Sequence, residues 1–264
     1  MEEKYLEIEG EHVAYSIVKN SGPFLVLVHG YPEDQHIFQN QIAFLQENYS
    51  LIIPDLPGAG NSPFNENIAT VEDYAKVLHT IISHENIEKV TMLGHSMGGY
   101  ITLAFAELFP DFLSKFGMIH STAVADSDEK IEGRFVAIEN IEKLGVTNYC
   151  KNAIKSNFAP DFANKNETII AQLISYAEKS TVESLQNFQS IMIQRKDRTK
   201  ILNTGKPVFF AIGTEDKAAP LAQVIPQVSL PNISSVHIYP NVGHLSMFEA
   251  PDQLNQSIQT FLEL

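Results

Sequence analysis

Short apolar runs alternate along this chain with segments whose apolar residues recur at helical spacing. Residues 24–28 read Phe-Leu-Val-Leu-Val and residues 50–54 read Ser-Leu-Ile-Ile-Pro. Neither shows the every-second-residue polarity of a strand with one wet face, so each predicts a strand buried on both sides. The same reading places strands at 88–93, 115–120, 207–212 and 234–239. It also predicts a hairpin of 4–9 with 11–18, closed near Glu9-Gly10-Glu11. Helical spacing marks about 35–48, 71–84, 97–109, 219–227 and 249–262. Thr70 is the expected N-cap of the second of these, with Glu72 and Asp73 in its first turn, and Pro110 stops the third.

Strand–helix alternation of this kind predicts a mostly parallel sheet with helices on both faces. The rhythm breaks between about Ala125 and Arg198. Helix-like patterns follow one another there, at about 127–144, 147–157, 166–178 and 181–194, with no convincing strand. Because the alternation then resumes, the expected organisation is an α/β core formed by residues 1–124 and 201–264, with an all-helical insertion over 125–200.

Composition narrows the partners. With 44% hydrophobic residues the 264-residue chain can fill a core, and its formal net charge of -14 would repel nucleic acid and anionic membrane. That charge mainly serves solubility, and it disfavours highly anionic substrates. Cys150 is the single cysteine, so no internal disulfide forms. The polar, charged start at Met1-Glu2-Glu3-Lys4-Tyr5 and the lack of a long apolar run suggest a cytoplasmic location. No metal-ligand spacing is visible, and neither metal nor organic cofactor is expected. The expected partner is a small-molecule substrate, and nothing in the sequence specifies an oligomer.

One stretch carries candidate chemistry. In Gly94-His95-Ser96-Met97-Gly98-Gly99 a serine stands between a strand-like and a helix-like run. This is the setting of a G-x-S-x-G nucleophile elbow, where small neighbours let a serine occupy a strained turn at the strand end. A serine hydroxyl needs a base, and the base needs an orienting carboxylate. In elbow-bearing chains these follow in the order serine, acid, histidine. Asp216, in Gly213-Thr214-Glu215-Asp216, is the leading acid, with Glu215 and Asp126 as rivals; capping the next helix is an alternative role for Asp216. His244, in Gly243-His244 after the last strand, is the candidate base. Two backbone donors could receive a developing oxyanion: Met97 N–H at the helix start and Tyr31 N–H in His29-Gly30-Tyr31-Pro32. His95 is expected to pack or hydrogen-bond behind the elbow, and His120 could line the pocket.

Taken in order, His29-Gly30-Tyr31-Pro32, Asp55-Leu56-Pro57-Gly58-Ala59-Gly60-Asn61-Ser62, Gly94-His95-Ser96-Met97-Gly98-Gly99, Gly213-Thr214-Glu215-Asp216 and Gly243-His244 resemble the α/β-hydrolase fold superfamily over essentially the whole chain. The resemblance implies an eight-stranded sheet and a helical cap after the sixth strand, over Ser96. It also implies Ser96 as nucleophile, Asp216 as acid, His244 as base, and Tyr31 and Met97 as oxyanion donors. Ser96 departs from the relatives that use an aspartate nucleophile. The oxyanion segment departs from those of proline iminopeptidases and carbon–carbon bond hydrolases. What remains resembles the esterase and cofactor-free haloperoxidase-like group, which implies hydrolysis of a small carboxylic ester. Carbon–carbon or amide cleavage by the same residues, with Arg134 as the first cation to test, is one alternative. A ligand receptor with little turnover is another. Phe135, Ile138, Tyr149, Phe158, Phe162 and Phe188 could line an acyl site or form the core of the cap.

Overall fold

The computed structural model describes residues 1–264. Its strands are β1 Glu2–Ile8, β2 Glu11–Val18, β3 Phe24–Val28, β4 Ser50–Pro54, β5 Val90–His95, β6 Leu113–Ile119, β7 Val208–Gly213 and β8 Ser234–Tyr239. They form one sheet in the order β1-β2-β4-β3-β5-β6-β7-β8. β1 pairs antiparallel with β2, and β2 with β4, whereas every pairing from β4 to β8 is parallel. The apolar runs explain this layout. β4, β5 and β7 are buried at every position, as strands covered on both faces must be, while the edge strands β1 and β8 hold only exposed and half-buried residues apart from Tyr239 at the end of β8.

The helices are α1 Gln39–Leu45, α2 Val71–His84, α3 Met97–Leu108, α4 Asp128–Asn157, α5 Pro160–Ala163, α6 Glu167–Ala177, α7 Val182–Gln194, α8 Leu221–Val224, α9 Ser246–Glu249 and α10 Pro251–Leu262. Thr70 caps α2 by accepting from Asp73 N–H, as its sequence position predicts. Residues 35–48 do not form one helix. Asp34 caps a 3-10 turn over Gln35–Phe38, and α1 starts only after it, because Phe38 at φ -97 leaves the helical path. The closing segment likewise breaks at Ala250, ahead of Pro251.

Between β6 and β7 the chain runs through α4, α5, α6 and α7 without adding a strand. α4 is bent where Gly145 takes φ 69, a left-handed position that suits glycine. α6 and α7 pack on α4, and buried Ile141, Cys150, Ile154, Leu185 and Phe188 join the main core in one continuous cluster. No helix is long and apolar enough to cross a membrane.

This topology places a crevice. From β3 the chain crosses to β4 on one side and, later, to β5 on the other, so β3 and β5 are neighbours at a switch point of the sheet. Val28 and Gly94 are register partners, which sets the two loops leaving β3 and β5 side by side at the carboxyl edge.

Candidate active site

Ser96 lies between β5 and α3 with φ 50 and ψ -116. From Val90 to Ala106 it is the one residue that is not buried. Its backbone is pinned: Ser96 N–H donates to Ile119 O at 3.0 Å, and Ser121 Oγ donates to Ser96 O at 2.7 Å. The flanking glycines are steric requirements. A Cβ on Gly94 would sit 2.1 Å from Gly98 O, and one on Gly98 would sit 2.2 Å from Val28 O.

Asp216 and His244 meet across the loops after β7 and β8. Asp216 is 5% exposed and His244 3%. An ionised carboxylate only accepts, so His244 Nδ1 carries the proton and donates to Asp216 Oδ2 at 2.8 Å. That leaves His244 Nε2 as the ring's basic atom. Ala218 N–H and Ala219 N–H donate to Asp216 Oδ1 at 2.8 and 2.9 Å. Burial alone would raise this carboxyl. The charge available to His244 and hydrogen bonds from His120 and His244 outweigh it and hold Asp216 well below the usual carboxylate range. For His244 burial acts downward, but the adjacent Asp216 carboxylate wins and raises its basicity.

The loop after β3 is braced from behind. His29 Nδ1 donates to Gly30 O at 2.8 Å, and Leu56 N–H donates to His29 Nε2 at 2.9 Å. The Asp55 carboxylate accepts from Gln35 N–H, Gln35 Nε2 and Asn61 N–H. Gly60 is required there, because a Cβ would lie 2.3 Å from that carboxylate. Tyr31 N–H donates to no acceptor within the chain. Met97 N–H belongs to the first turn of α3, where helix donors have no intrahelical partner.

Ser96, Tyr31 and His244 line one cavity of about 270 Å³. Lys130, Arg134 and Tyr149 of α4 and Met192 of α7 line it from the opposite side. Of the aromatic candidates, Tyr149 faces the cavity, Phe135 is exposed, and Phe158 and Phe188 are buried in the core. Glu215 is exposed, and Asp126 binds Arg134 and Arg195, so neither rival acid approaches His244 as Asp216 does.

A family model described as alpha/beta hydrolase fold matches residues 23–138. A thermophilic esterase from Thermogutta terrifontis, solved with malate bound, has a similar structure (TM-score 0.90, 24% identity, 100% of this chain and 98% of that one). So does the enol-lactonase from Burkholderia xenovorans LB400 (TM-score 0.90, 19% identity, 99% and 100% covered). The chain has the α/β-hydrolase fold. Among curated proteins, the uncharacterized hydrolase YugF of Bacillus subtilis is 25% identical over 268 residues, covering 97% of this chain and 96% of that one.

Four further residues matter to the site; the sequence points to His95 and His120, whereas it does not point to Glu33 or Glu249. His120 does not line the cavity; at φ 51 it turns inward and donates from Nδ1 to Asp216 Oδ2 at 3.0 Å. Ser246 N–H donates to its Nε2 at 3.3 Å, so this ring is neutral, and burial keeps its basicity low. Glu249 accepts from Gly243 N–H, Leu245 N–H and Ala159 N–H, tying the His244 loop to the end of α4. Glu33 is buried with neither carboxyl oxygen paired, 3.7 Å from His95 Nδ1, and burial raises it to about 7. His95 sits behind the elbow and donates from Nε2 to His244 O at 3.0 Å. His120, Asp216 and His244 also offer ligand atoms within 4.8 Å of one another. Both imidazoles already give their Nδ1 hydrogens to Asp216, so a cation there would have to displace both bonds.

Proposed function

We propose that this protein is a serine hydrolase that cleaves a small carboxylic ester through an acyl-enzyme. One observation carries the reading. Ser96, strained at the elbow, shares a small cavity with His244, whose Nδ1 is fixed by Asp216 and whose other nitrogen is a free base. Glu33, five residues beyond the end of β3, is buried and does not line that cavity.

The steps follow from those roles. His244 Nε2 takes the Ser96 Oγ proton as Oγ attacks the ester carbonyl. The oxyanion is received by Tyr31 N–H and Met97 N–H, donors of a kind worth roughly 3 kcal/mol each. His244 then protonates the departing alkoxide and the C–O bond breaks, which leaves the acyl group on Ser96. Water, deprotonated by His244, attacks the acyl carbonyl by the same route and frees the acid and Ser96. Asp216 stays ionised throughout and stabilises the imidazolium form of His244. The esterase and enol-lactonase named above share the fold, and that likeness favours the ester over other acyl bonds.

Hydrolysis of p-nitrophenyl esters from acetate to laurate, with Ser96→Ala alongside, tests this. The expected result is turnover that peaks at short acyl chains and falls by roughly 10⁵–10⁶-fold in the variant. Normal turnover by Ser96→Ala would overturn the reading. Labelling of Ser96 by a phosphonate without ester turnover would move the reaction to amide, lactone or carbon–carbon substrates, and an unlabelled Ser96 would point to a receptor.

A further inference from the structure

The side of the cavity facing Ser96 carries charge that ester hydrolysis does not require. Lys130 and Arg134 stand four residues apart on α4 and both line the cavity, whereas no Asp or Glu does. Buried Asp126, just before the helix, gathers three cations: Arg134 Nε at 2.5 Å, Arg195 Nη2 at 2.6 Å and Lys130 Nζ at 3.8 Å. One carboxylate therefore faces three cations, which leaves two positive charges in excess.

Arg195 does not line the cavity. It donates to Val124 O and lies 3.9 Å over the Tyr100 ring. The other two have donors to spare. Arg134 uses Nε for Asp126 and Nη1 for Gln189 Oε1, at 3.1 Å, and its Nη2 has no partner in the chain. Lys130 Nζ gives one hydrogen to Ala218 O at 2.8 Å, two residues beyond Asp216. That bond ties the ammonium to the loop that orients His244, on the same small cavity. An uncompensated pair of cations on one small cavity is a local exception in a chain of net charge -14.

We propose that Lys130 and Arg134 bind a second, anionic group of the substrate, so that the ester cleaved at Ser96 carries a free carboxylate. This rests on the hydrolase reading for its reaction, but not for its binding site. The planar guanidinium suits a carboxylate, and the ammonium adds a point charge beside it. A single carboxylate taken up by this local pair is compatible with a composition that disfavours only highly anionic substrates.

The test compares the mono-p-nitrophenyl ester of glutarate with p-nitrophenyl valerate, which lacks the charge. The wild type is expected to favour the glutarate ester by about tenfold or more in kcat/KM, mainly through KM, with the preference shrinking as salt rises. Lys130→Met, which leaves the Asp126–Arg134–Arg195 bonds in place, is expected to cut that ratio by about 10- to 100-fold, and Lys130→Glu to reverse it. Calorimetry with glutarate provides a readout independent of turnover, with binding to wild type and weaker binding to Lys130→Met. Equal use of both esters, unchanged by Lys130→Met, overturns the proposal. Tighter binding of inorganic phosphate than of glutarate overturns the assignment to a carboxylate. Glutarate binding without turnover of either ester supports the anion site and sinks the hydrolase reading instead.

Discussion

His120 donates its Nδ1 hydrogen to Asp216 Oδ2 across 3.0 Å, beside the 2.8 Å bond from His244 Nδ1 to the same oxygen. One carboxylate thus holds two imidazoles, and the second is a fixed neutral donor because Ser246 N–H occupies its Nε2. His120 is therefore a positioning residue for Asp216. In His120→Ala the carboxylate loses a donor and becomes the stronger acceptor for His244. The expected outcome is a kcat loss of about tenfold, an acid limb of kcat/KM displaced to higher pH, and about 1–3 kcal/mol of lost stability from the unpaired groups. Asp216→Asn is expected to cost roughly 10⁴-fold in kcat. A pH–rate profile for His120→Ala that overlays the wild type would remove His120 from this role.

In the proposed mechanism His244 must be neutral to take the Ser96 proton, so activity is expected to rise with pH through its titration. Burial lowers its basicity, but the Asp216 carboxylate raises it further, and the net shift is upward from 6.5. The acid limb of kcat/KM is therefore expected to have its midpoint above pH 6.5, and Asp216→Asn to move it down. The same shift carries a stability term. The protonated form is favoured in the folded state, so this contribution is complete below pH 6.5 and is lost as pH rises through the folded value. Initial rates from pH 5 to 9 on one ester read the midpoint directly.

The core strands and the elbow were legible because their signals are local. β3 and β4 start and end where the apolar runs do, and Ser96, Gly94 and Gly98 carry their steric logic in five residues. The sharp break in α4 falls at Gly145, in the gap between two helical patterns. What could not be read depends on distant contacts. Glu249 meets Ala159 across 90 residues, and His120 meets Asp216 across 96. Lys130 reads as an ordinary solvated helix residue until Ala218, 88 positions later, is folded beside it. The single helix expected over 35–48 failed for a different reason: Asp34, a turn-former, sets a 3-10 start that apolar spacing does not encode.

Glu33 is a latent acid behind the site. Burial raises it from 4.5 to about 7, and neither oxygen has a hydrogen-bond partner. A raised carboxyl favours the folded state below its ordinary value and loses that contribution as pH climbs through the folded one. At 1.36 kcal/mol per unit, the full effect is about 3 kcal/mol. Glu33→Gln removes the titration, so its stability relative to wild type is expected to increase between pH 5 and pH 8. Urea unfolding at those two pH values tests this, and a constant difference would show that Glu33 stays ionised or is solvated.

The elbow stores backbone strain at Ser96, the proposed nucleophile. A serine at φ 50 and ψ -116 occupies backbone space favoured only by glycine, at a cost of about 1–3 kcal/mol. Ser96→Ala keeps the Cβ and with it the strain. Ser96→Gly removes both, offset by about 0.5–1 kcal/mol for the looser unfolded chain. The glycine variant is therefore expected to melt higher than the alanine variant by about 2–4 °C, with both catalytically silent. Gly98→Ala is expected to move the other way, because its Cβ would meet Val28 O at 2.2 Å and neither backbone segment can yield without shifting β3 or α3. Calorimetric melting of the three variants decides the matter. Equal midpoints for Ser96→Gly and Ser96→Ala would mean that the elbow carries no strain, and that its glycines serve packing alone.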